Sequence, residues 1–306
     1  MKDPVHEKTI LRERIARLPV DQRTRLVERL RHTRPSSPSP HGAPAFVRQP
    51  AAHVGTTGTP TVRLFCFPYA GGGGSVFRTW GRSLPAGTEV WTASLPGRES
   101  RLAEPPLRRM EPLIEQLHEA ITPHLDLPYV FFGHSMGALI AFELTRRLRR
   151  AGDPPPDRLV LAAFRAPHLP NPNIRIHHLP DEVLKTVLLK EGTSRQVLES
   201  EELMRALLPT LRADLELCDT YRFRDDLPLP MPLTVLGGDR DVRVGREDLR
   251  GWRAQAAGPF RLAMLPGPHF FIHSSPDLLR AEVARELAAT AGTREGDEDD
   301  DRPLAG

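Results

Sequence analysis

The sequence has few cysteines and no long apolar run, and these two shortages exclude several classes of protein. Cys66 and Cys218 are the two cysteines, and they lie far apart in apolar surroundings. We therefore expect buried, reduced thiols and neither a disulfide nor a zinc site, since no His/Cys cluster has zinc-ligand spacing. No stretch approaches the roughly 18 consecutive apolar residues of a membrane span. Residues 1–14 are charged where a signal peptide needs an apolar segment, so we expect a cytoplasmic protein without membrane association.

The net charge of the chain is also small. The formal net charge is +3, and the basic residues are spread along the chain without the aromatic-interleaved basic block that is typical of nucleic-acid binding. We therefore expect no nucleic-acid partner, whereas a mildly basic surface would suit an acidic protein. The chain has 306 residues, of which 39% are hydrophobic and 26% charged, as in one large globular domain with appended segments.

Composition divides the chain into four parts. Residues 1–33 are arginine-rich, and their apolar spacing predicts two short amphipathic helices. Residues 34–61 are dense in Pro, Ser, Gly and Ala, which predicts a flexible linker, and residues 290–306 predict an acidic, disordered tail. The folded domain is expected at 62–289. The N-terminal extension is open to two interpretations, docking to a partner protein or a disordered overhang.

Within the expected domain, apolar or β-branched runs alternate with helical patterns. Strands are predicted at 62–67, 89–95, 129–133, 158–164, 233–238 and 260–267. Nearly continuous apolar strands that alternate with helices indicate an α/β fold with a mostly parallel central sheet covered by helices on both faces.

The stretch GHSMG, residues 133–137, lies where a predicted strand passes into a predicted helix. Gly133 and Gly137 leave room for a sharp turn that pushes the Oγ atom of Ser135 out of the sheet. This pattern is typical of a nucleophile elbow, and the start of the following helix leaves backbone N–H groups free to face developing negative charge. A tight turn without catalytic function is the alternative.

A nucleophilic serine needs a base and a group that orients the base, and in this kind of sheet they follow in the order Ser, Asp, His. Asp239 and Asp241 both follow the predicted strand at 233–238, and we favour Asp241. His269 lies in the turn after the last strand and is the favoured base, whereas His273 is expected in or near a following helix. Four further histidines are expected to lie outside the site: His134, His168, His177 and His178.

The first strand of the domain ends in a glycine-rich run, FPYAGGGGSVF, at residues 67–77. No P-loop Lys-Ser/Thr follows it and no dinucleotide-binding fingerprint is complete, so a nucleotide site is disfavoured. Small residues would let backbone N–H groups approach an oxyanion instead. One donor would come from this run and the second from the residue after the nucleophile, Met136.

Several motifs occur together and in a consistent order across 62–289: FPYAGGGGSVF, LPGRESRLAEPP (95–106), FFGHSMGALIAFEL, FRAPHLP (164–170), the stretch 192–223, GGDRD and GPHFFI. Together they resemble the type II thioesterases that accompany polyketide and nonribosomal peptide synthetases, within the α/β-hydrolase superfamily. The sequence departs from that family at GGGGS, where GGSAS is commoner, and at GPH, where GGH is commoner.

The resemblance implies a catalytic set and a substrate. Ser135 would be the nucleophile, Asp241 the orienting acid and His269 the base, with the backbone N–H groups of Ala70 and Met136 as the oxyanion hole. It implies hydrolysis of acyl thioesters from the phosphopantetheine arm of an acyl or peptidyl carrier protein, which clears aberrant acyl groups, and it implies no cofactor. A chain-releasing or cyclising thioesterase, a general esterase and a non-catalytic scaffold remain alternatives.

The region from about 169 to 224 is too long for a simple connection and is rich in helix formers, so we expect a helical lid. Pro209 predicts a kink or a break in a lid helix. A set of apolar lid residues is expected to face inward, with at most a third of them touching substrate: Leu184, Val187, Leu188, Leu203, Leu207, Leu208, Leu211 and Leu215.

Overall fold

A seven-stranded sheet forms the centre of the computed structural model, which describes residues 43–50, 59–170, 175–190 and 198–298. The strand order is β1-β3-β2-β4-β5-β6-β7, and all pairs are parallel except β1 with β3. The strands are β1 Phe46–Arg48, β2 Val62–Phe67, β3 Thr88–Ala93, β4 Tyr129–His134, β5 Arg158–Ala162, β6 Leu233–Gly238 and β7 Phe260–Leu265. The predicted mostly parallel sheet is confirmed.

Successive side chains of a strand point to opposite faces of the sheet, so the apolar residues of each strand are divided between two cores. In β2, Phe65 and Phe67 pack into one core, whereas Leu64 and Cys66 pack into the other. This is the expected result of a period of two in a sheet that is buried on both faces. Continuous apolar runs such as VRLFCF therefore supply both cores at once.

Helices cover both faces. On one face lie helices α1, Met110–Ile121, and α2, Met136–Ala151. Two more helices follow in the chain, α3, Asp181–Lys190, and α4, Glu201–Thr220, and then the short α5, Arg246–Arg250, and α6, Phe271–Ser274. The last helix, α7, Pro276–Glu298, packs against the opposite face through its buried residues Leu279, Val283 and Leu287. No helix of the described ranges is long and apolar enough to cross a membrane.

Helices α3 and α4 lie within the range predicted to form a lid. Their apolar residues form a separate cluster that includes Leu184, Leu188, Leu211 and Leu215. Leu207 is 37% exposed, contrary to its predicted inward position. Helix α4 continues through Pro209, so the alternative of a break there is wrong. Packing of the apolar face against the cluster outweighs the one backbone hydrogen bond that proline removes.

Two predicted boundaries need correction. Phe46–Arg48 form edge strand β1 inside the segment predicted as a flexible linker, with Phe46 buried against the aromatic rings of Phe65 and Phe67. Helix α7 extends to Glu298 and Thr290 is buried, although residues 290–306 were predicted to be a disordered tail. The predicted helices of residues 1–33 lie outside the described residues.

Candidate active site

Ser135 lies at the sharp turn between β4 and α2. Its backbone has φ 54° and ψ −122°, a left-handed value of φ that a residue with a side chain rarely adopts. The two flanking glycines are sterically required. A Cβ atom on Gly133 would lie 2.1 Å from the carbonyl oxygen of Gly137, and one on Gly137 would lie 2.0 Å from the carbonyl oxygen of Phe67. The turn is therefore possible only because both side chains are absent.

The structure brings together Ser135, His269 and Asp241, which follow β4, β7 and β6 at the carboxyl edge of the sheet. The Nε2 atom of His269 lies 2.9 Å from the Oγ atom of Ser135, and its Nδ1 atom lies 2.8 Å from Oδ2 of Asp241. The side chains of His269 and Asp241 are buried, and His269 is 4% exposed. These distances are those of a nucleophile–base–acid hydrogen-bond chain.

The second carboxylate oxygen of Asp241 is held by the backbone. Its Oδ1 atom accepts hydrogen bonds from the N–H groups of Arg243 at 2.8 Å and of Val244 at 3.2 Å. Because backbone donors occupy Oδ1, the carboxylate cannot rotate freely, and Oδ2 stays directed at the Nδ1–H of His269. That contact favours the tautomer of His269 whose Nε2 atom is free to accept a proton.

The two alternative residues have other partners. Asp239 accepts the N–H of Gly267 at 2.8 Å and so ties the turn after β6 to the histidine loop. His273 lies in α6, as predicted, and its Nε2 atom is 2.7 Å from the hydroxyl oxygen of Tyr69. Partial burial lowers the pKa of His273. Neither residue completes the hydrogen-bond chain.

His134, which was expected to lie outside the site, contacts the backbone of His269. It is fully buried, and its Nε2–H donates to the carbonyl oxygen of His269 at 3.0 Å. Burial lowers the pKa of His134 well below its usual range, which keeps the ring neutral. The sequence carries no signal for this contact, because it depends on the approach of β4 to a loop 135 residues away.

His168, His177 and His178, which were expected to lie outside the site, contact residues other than those of the hydrogen-bond chain. His168 contacts Gln255, and the Nδ1 atom of His177 lies 2.6 Å from a carboxylate oxygen of Asp219 on α4. Within the described ranges, no group of three or more His, Cys, Asp or Glu side chains could hold a metal ion.

The N–H groups of Ala70 and Met136 have no hydrogen-bond acceptor among the described residues, and both residues line the pocket that contains Ser135. Ala70 begins a segment that we call the glycine loop, residues 70–75, and Met136 is the first residue of α2. Unpaired N–H groups at such positions can stabilise the oxyanion of a tetrahedral intermediate.

The pocket is closed on one side by the lid helices. Three of the predicted apolar lid residues line it: Leu188, Leu211 and Leu215. Cys218 lines it as well, and burial raises the pKa of its thiol, so the group stays protonated and is no nucleophile. The pocket thus combines apolar lid residues with a few polar and charged ones, among them Arg165, Asp219 and Arg243, as ligand sites commonly do.

Comparison with known proteins gives one consistent result. The Thioesterase domain family matches residues 62–289. The gramicidin S biosynthesis protein GrsT of Aneurinibacillus migulanus is 42% identical over 215 residues, which are 70% of this chain and 84% of that protein. RedJ, a thioesterase from the prodiginine pathway of Streptomyces coelicolor, is 40% identical with a TM-score of 0.71, covering 75% of this chain and 87% of that one.

A further solved structure, the type II thioesterase BorB from the borrelidin biosynthetic cluster, is 33% identical with a TM-score of 0.72. The match covers 81% of this chain and all of that one. The family match spans strands β2 to β7, the lid and the residues that form the hydrogen-bond chain, and edge strand β1 lies outside it. The chain therefore belongs to the thioesterase family, and it is a thioester hydrolase with an α/β-hydrolase fold, similar to the type II thioesterases of polyketide and nonribosomal peptide pathways.

Proposed function

We propose that the protein hydrolyses acyl thioesters carried on the phosphopantetheine arm of acyl or peptidyl carrier proteins, and so removes aberrant acyl groups during polyketide or nonribosomal peptide biosynthesis in the cytoplasm. One observation carries the proposal: the continuous hydrogen-bond chain from Ser135 through His269 to Asp241 opens into a pocket under the lid. The apolar lid residues of this pocket suit an acyl group, and the polar groups around Ser135 suit acyl transfer.

In the first half of the proposed reaction, His269 takes the proton of Ser135 as Oγ attacks the thioester carbonyl. The buried carboxylate of Asp241 stabilises the resulting imidazolium, because it already accepts the Nδ1–H. The N–H groups of Ala70 and Met136 hold the oxyanion. The tetrahedral intermediate then collapses, the C–S bond breaks, and His269 returns its proton to the departing thiolate.

In the second half, His269 accepts a proton from water, whose oxygen attacks the acyl-serine. Collapse of the second intermediate breaks the ester bond, the proton passes back to Ser135, and a free acid leaves. We propose that no cofactor is needed, because each proton transfer and each developing charge is assigned to a group of the chain itself.

The carrier-protein substrate and the editing role are supported by the relatives. RedJ comes from the prodiginine biosynthetic pathway, BorB from the borrelidin biosynthetic cluster and GrsT from gramicidin S biosynthesis, and BorB is itself a type II thioesterase. The similar type II thioesterase YbtT comes from the yersiniabactin NRPS/PKS biosynthetic pathway. A chain-releasing enzyme or a general esterase would use the same hydrogen-bond chain, so substrate preference has to separate these functions.

The test compares the wild type with Ser135→Ala on four substrates: acetyl-, propionyl- and long-chain acyl-carrier proteins, and a p-nitrophenyl ester. Mass spectrometry follows release from the carrier protein. We expect the wild type to release acetyl and propionyl groups and Ser135→Ala to release neither. A strong preference for the long chain or the oxygen ester would contradict the editing role, and equal release by both proteins would contradict the role of Ser135.

A further inference from the structure

The glycine loop contains four consecutive glycines, which have little conformational preference of their own. Even so, its donor at Ala70 has to be held in one position if it is to bind an oxyanion, because the strength of such a donor depends on its geometry. Three charged side chains from two other segments contact this loop. Arg98 and Glu99 come from the LPGRESR motif, and Asp214 comes from lid helix α4.

Asp214 binds the loop next to the donor. Its Oδ2 atom accepts the N–H of Gly71 at 2.7 Å, and this N–H belongs to the peptide group that directly follows Ala70. Gly71 has φ +76°, a left-handed value that suits glycine, and a Cβ atom there would come within 3.2 Å of Leu211. The hydrogen bond to Asp214 therefore fixes the peptide plane on one side of Ala70, against helix α4.

Arg98 completes the arrangement. Its two terminal nitrogens each lie 2.7 Å from a different carboxylate oxygen of Asp214, and one of them also donates to the carbonyl oxygen of Gly72 at 3.0 Å. Arg98 is 6% exposed and Asp214 is 2% exposed, so the pair is buried. A buried ion pair is poor evidence for stability, because desolvation offsets most of the attraction, but its fixed bidentate geometry can specify one arrangement of the chain.

Glu99 holds the far end of the loop. Its carboxylate accepts the N–H groups of Gly74 and Ser75, each at 3.0 Å, and its own backbone has a left-handed φ of 49°. The loop is thus held at both ends by carboxylates and in the middle by a guanidinium group. We call Arg98, Glu99 and Asp214 the clasp.

Helix α4 also forms a wall of the pocket. Leu211 and Leu215, which flank Asp214 on α4, line the pocket, whereas neither Arg98 nor Asp214 is among its lining residues in the described part of the chain. Thr210 of the same helix donates to the carbonyl oxygen of Gly97 at 2.7 Å. One helix therefore shapes the acyl site and holds the loop that carries an oxyanion donor.

We propose that Asp214 and Arg98 are positioning residues: they hold Ala70 in its oxyanion-binding geometry and make that geometry depend on the docked lid helix. The inference rests on the proposed oxyanion role of Ala70. It extends that role to a coupling between lid position and the chemical step, without any contact between the clasp and the substrate.

The test uses Asp214→Asn, which keeps the shape of the side chain but has one acceptor oxygen, so it cannot accept all three hydrogen bonds that Asp214 receives from Arg98 and Gly71. Its NH2 group would also face a donor of the arginine fork or of Gly71. The matched control is Glu216→Gln on the same helix, which weakens exposed ion pairs to Arg108 and Arg109 and leaves the loop untouched. Any ester that the wild type hydrolyses serves as substrate, p-nitrophenyl acetate included. Failure on carrier-protein substrates would therefore count against the proposed function and leave this test intact.

We expect Asp214→Asn to lower kcat by about 10- to 100-fold with little change in KM, since complete loss of one oxyanion donor costs roughly 100- to 1,000-fold. The inhibition constant of a trifluoromethyl ketone, which forms a charged tetrahedral adduct with the serine, should rise by a similar factor. Glu216→Gln should stay within about two-fold of the wild type in each quantity, as expected for a surface charge.

A role in stability alone would lower the melting temperature but leave kcat and the inhibition constant of the folded enzyme unchanged, and this result would overturn the proposal. A raised KM at constant kcat would also overturn it, because the effect would then lie in the acyl site. If Asp214→Asn does not fold, Arg98→Lys replaces it: it retains the charge but loses the fork, and kcat must fall with KM unchanged for the proposal to stand.

Discussion

Gly137→Ala is the substitution whose effect follows most directly from the geometry. A Cβ atom at this position would lie 2.0 Å from the carbonyl oxygen of Phe67 and 2.8 Å from that of Pro68, whereas ordinary contacts begin at 3.4 Å. Both obstructing atoms belong to the backbone, so no side chain can rotate away. Helix α2 and the end of β2 therefore have to move apart by roughly 1 Å or more, because the 2.0 Å distance has to lengthen towards an ordinary contact of 3.4 Å.

The two segments that must separate carry the two proposed oxyanion donors. Met136 directly precedes Gly137, and Pro68 lies two residues before Ala70. Overpacking by one methyl group typically costs about 1–3 kcal/mol, and we expect a net loss of about 2–3 kcal/mol because the obstruction is rigid. In a domain of this size, that loss lowers the melting temperature by about 5–10 °C. Displacement of catalytic groups by roughly 1 Å costs about 100-fold in kcat.

The assay is thermal unfolding together with steady-state hydrolysis of an ester, with Gly152→Ala as the control. Gly152 ends the same helix with φ +78°, and a Cβ atom added there would meet no other heavy atom within 4 Å, so alanine causes backbone strain and no collision. We expect Gly152→Ala to lose about 1–2 kcal/mol of stability and to keep its kcat. If Gly137→Ala kept wild-type kcat, the assignment of the oxyanion donors to these two segments would be refuted.

Two further predictions concern the residues around the base. Asp241→Asn should lower kcat by about 10⁴-fold, because the amide favours the wrong tautomer of the histidine. Asp239→Asn should stay within about two-fold, since an amide oxygen can still accept the N–H of Gly267; equal losses in both variants would contradict the assignment of Asp241. Burial holds the pKa of His134 in the folded protein well below its usual range. Below about pH 6.5, the His134 ring is therefore protonated in the unfolded chain and neutral in the folded protein. The free energy of unfolding consequently decreases as the pH falls towards the folded pKa. Chemical denaturation of His134→Gln between about pH 7 and pH 5 should therefore show a shallower decline, by at most about 1.4 kcal/mol per pH unit, and equal slopes would contradict it.

The sequence predicted the six parallel strands, β2 to β7, because each is a local apolar or β-branched run that needs no information from distant residues. The order of strand, turn and helix also predicted the position of Ser135. The loop after β6 offered Asp239 and Asp241 as candidate acids, and the segment after β7 offered His269 and His273 as candidate bases. Edge strand β1 was missed, because three residues between prolines carry no periodicity, and it forms only through pairing with β3. The predicted end of the domain at 289 was too early, because charged residues such as Arg294 and Glu295 suggest a solvated tail but also favour helix formation.

The clasp could not be predicted for a different reason, although LPGRESR and the glycine run are both conspicuous in the sequence. Its bonds join Gly71 to a residue 143 positions away and Gly74 to one 25 positions away, and no local pattern encodes either pairing. The need for such partners, however, follows from the glycines themselves. Ordering four glycines costs about 4–8 kcal/mol of backbone entropy. The three hydrogen bonds from Gly71, Gly74 and Ser75 to carboxylates contribute a comparable amount, about 4–9 kcal/mol, at the strength typical of bonds to charged groups. A loop that is flexible enough to bring its N–H groups against an oxyanion is therefore too flexible to stay there unaided, and charged side chains from outside have to hold it.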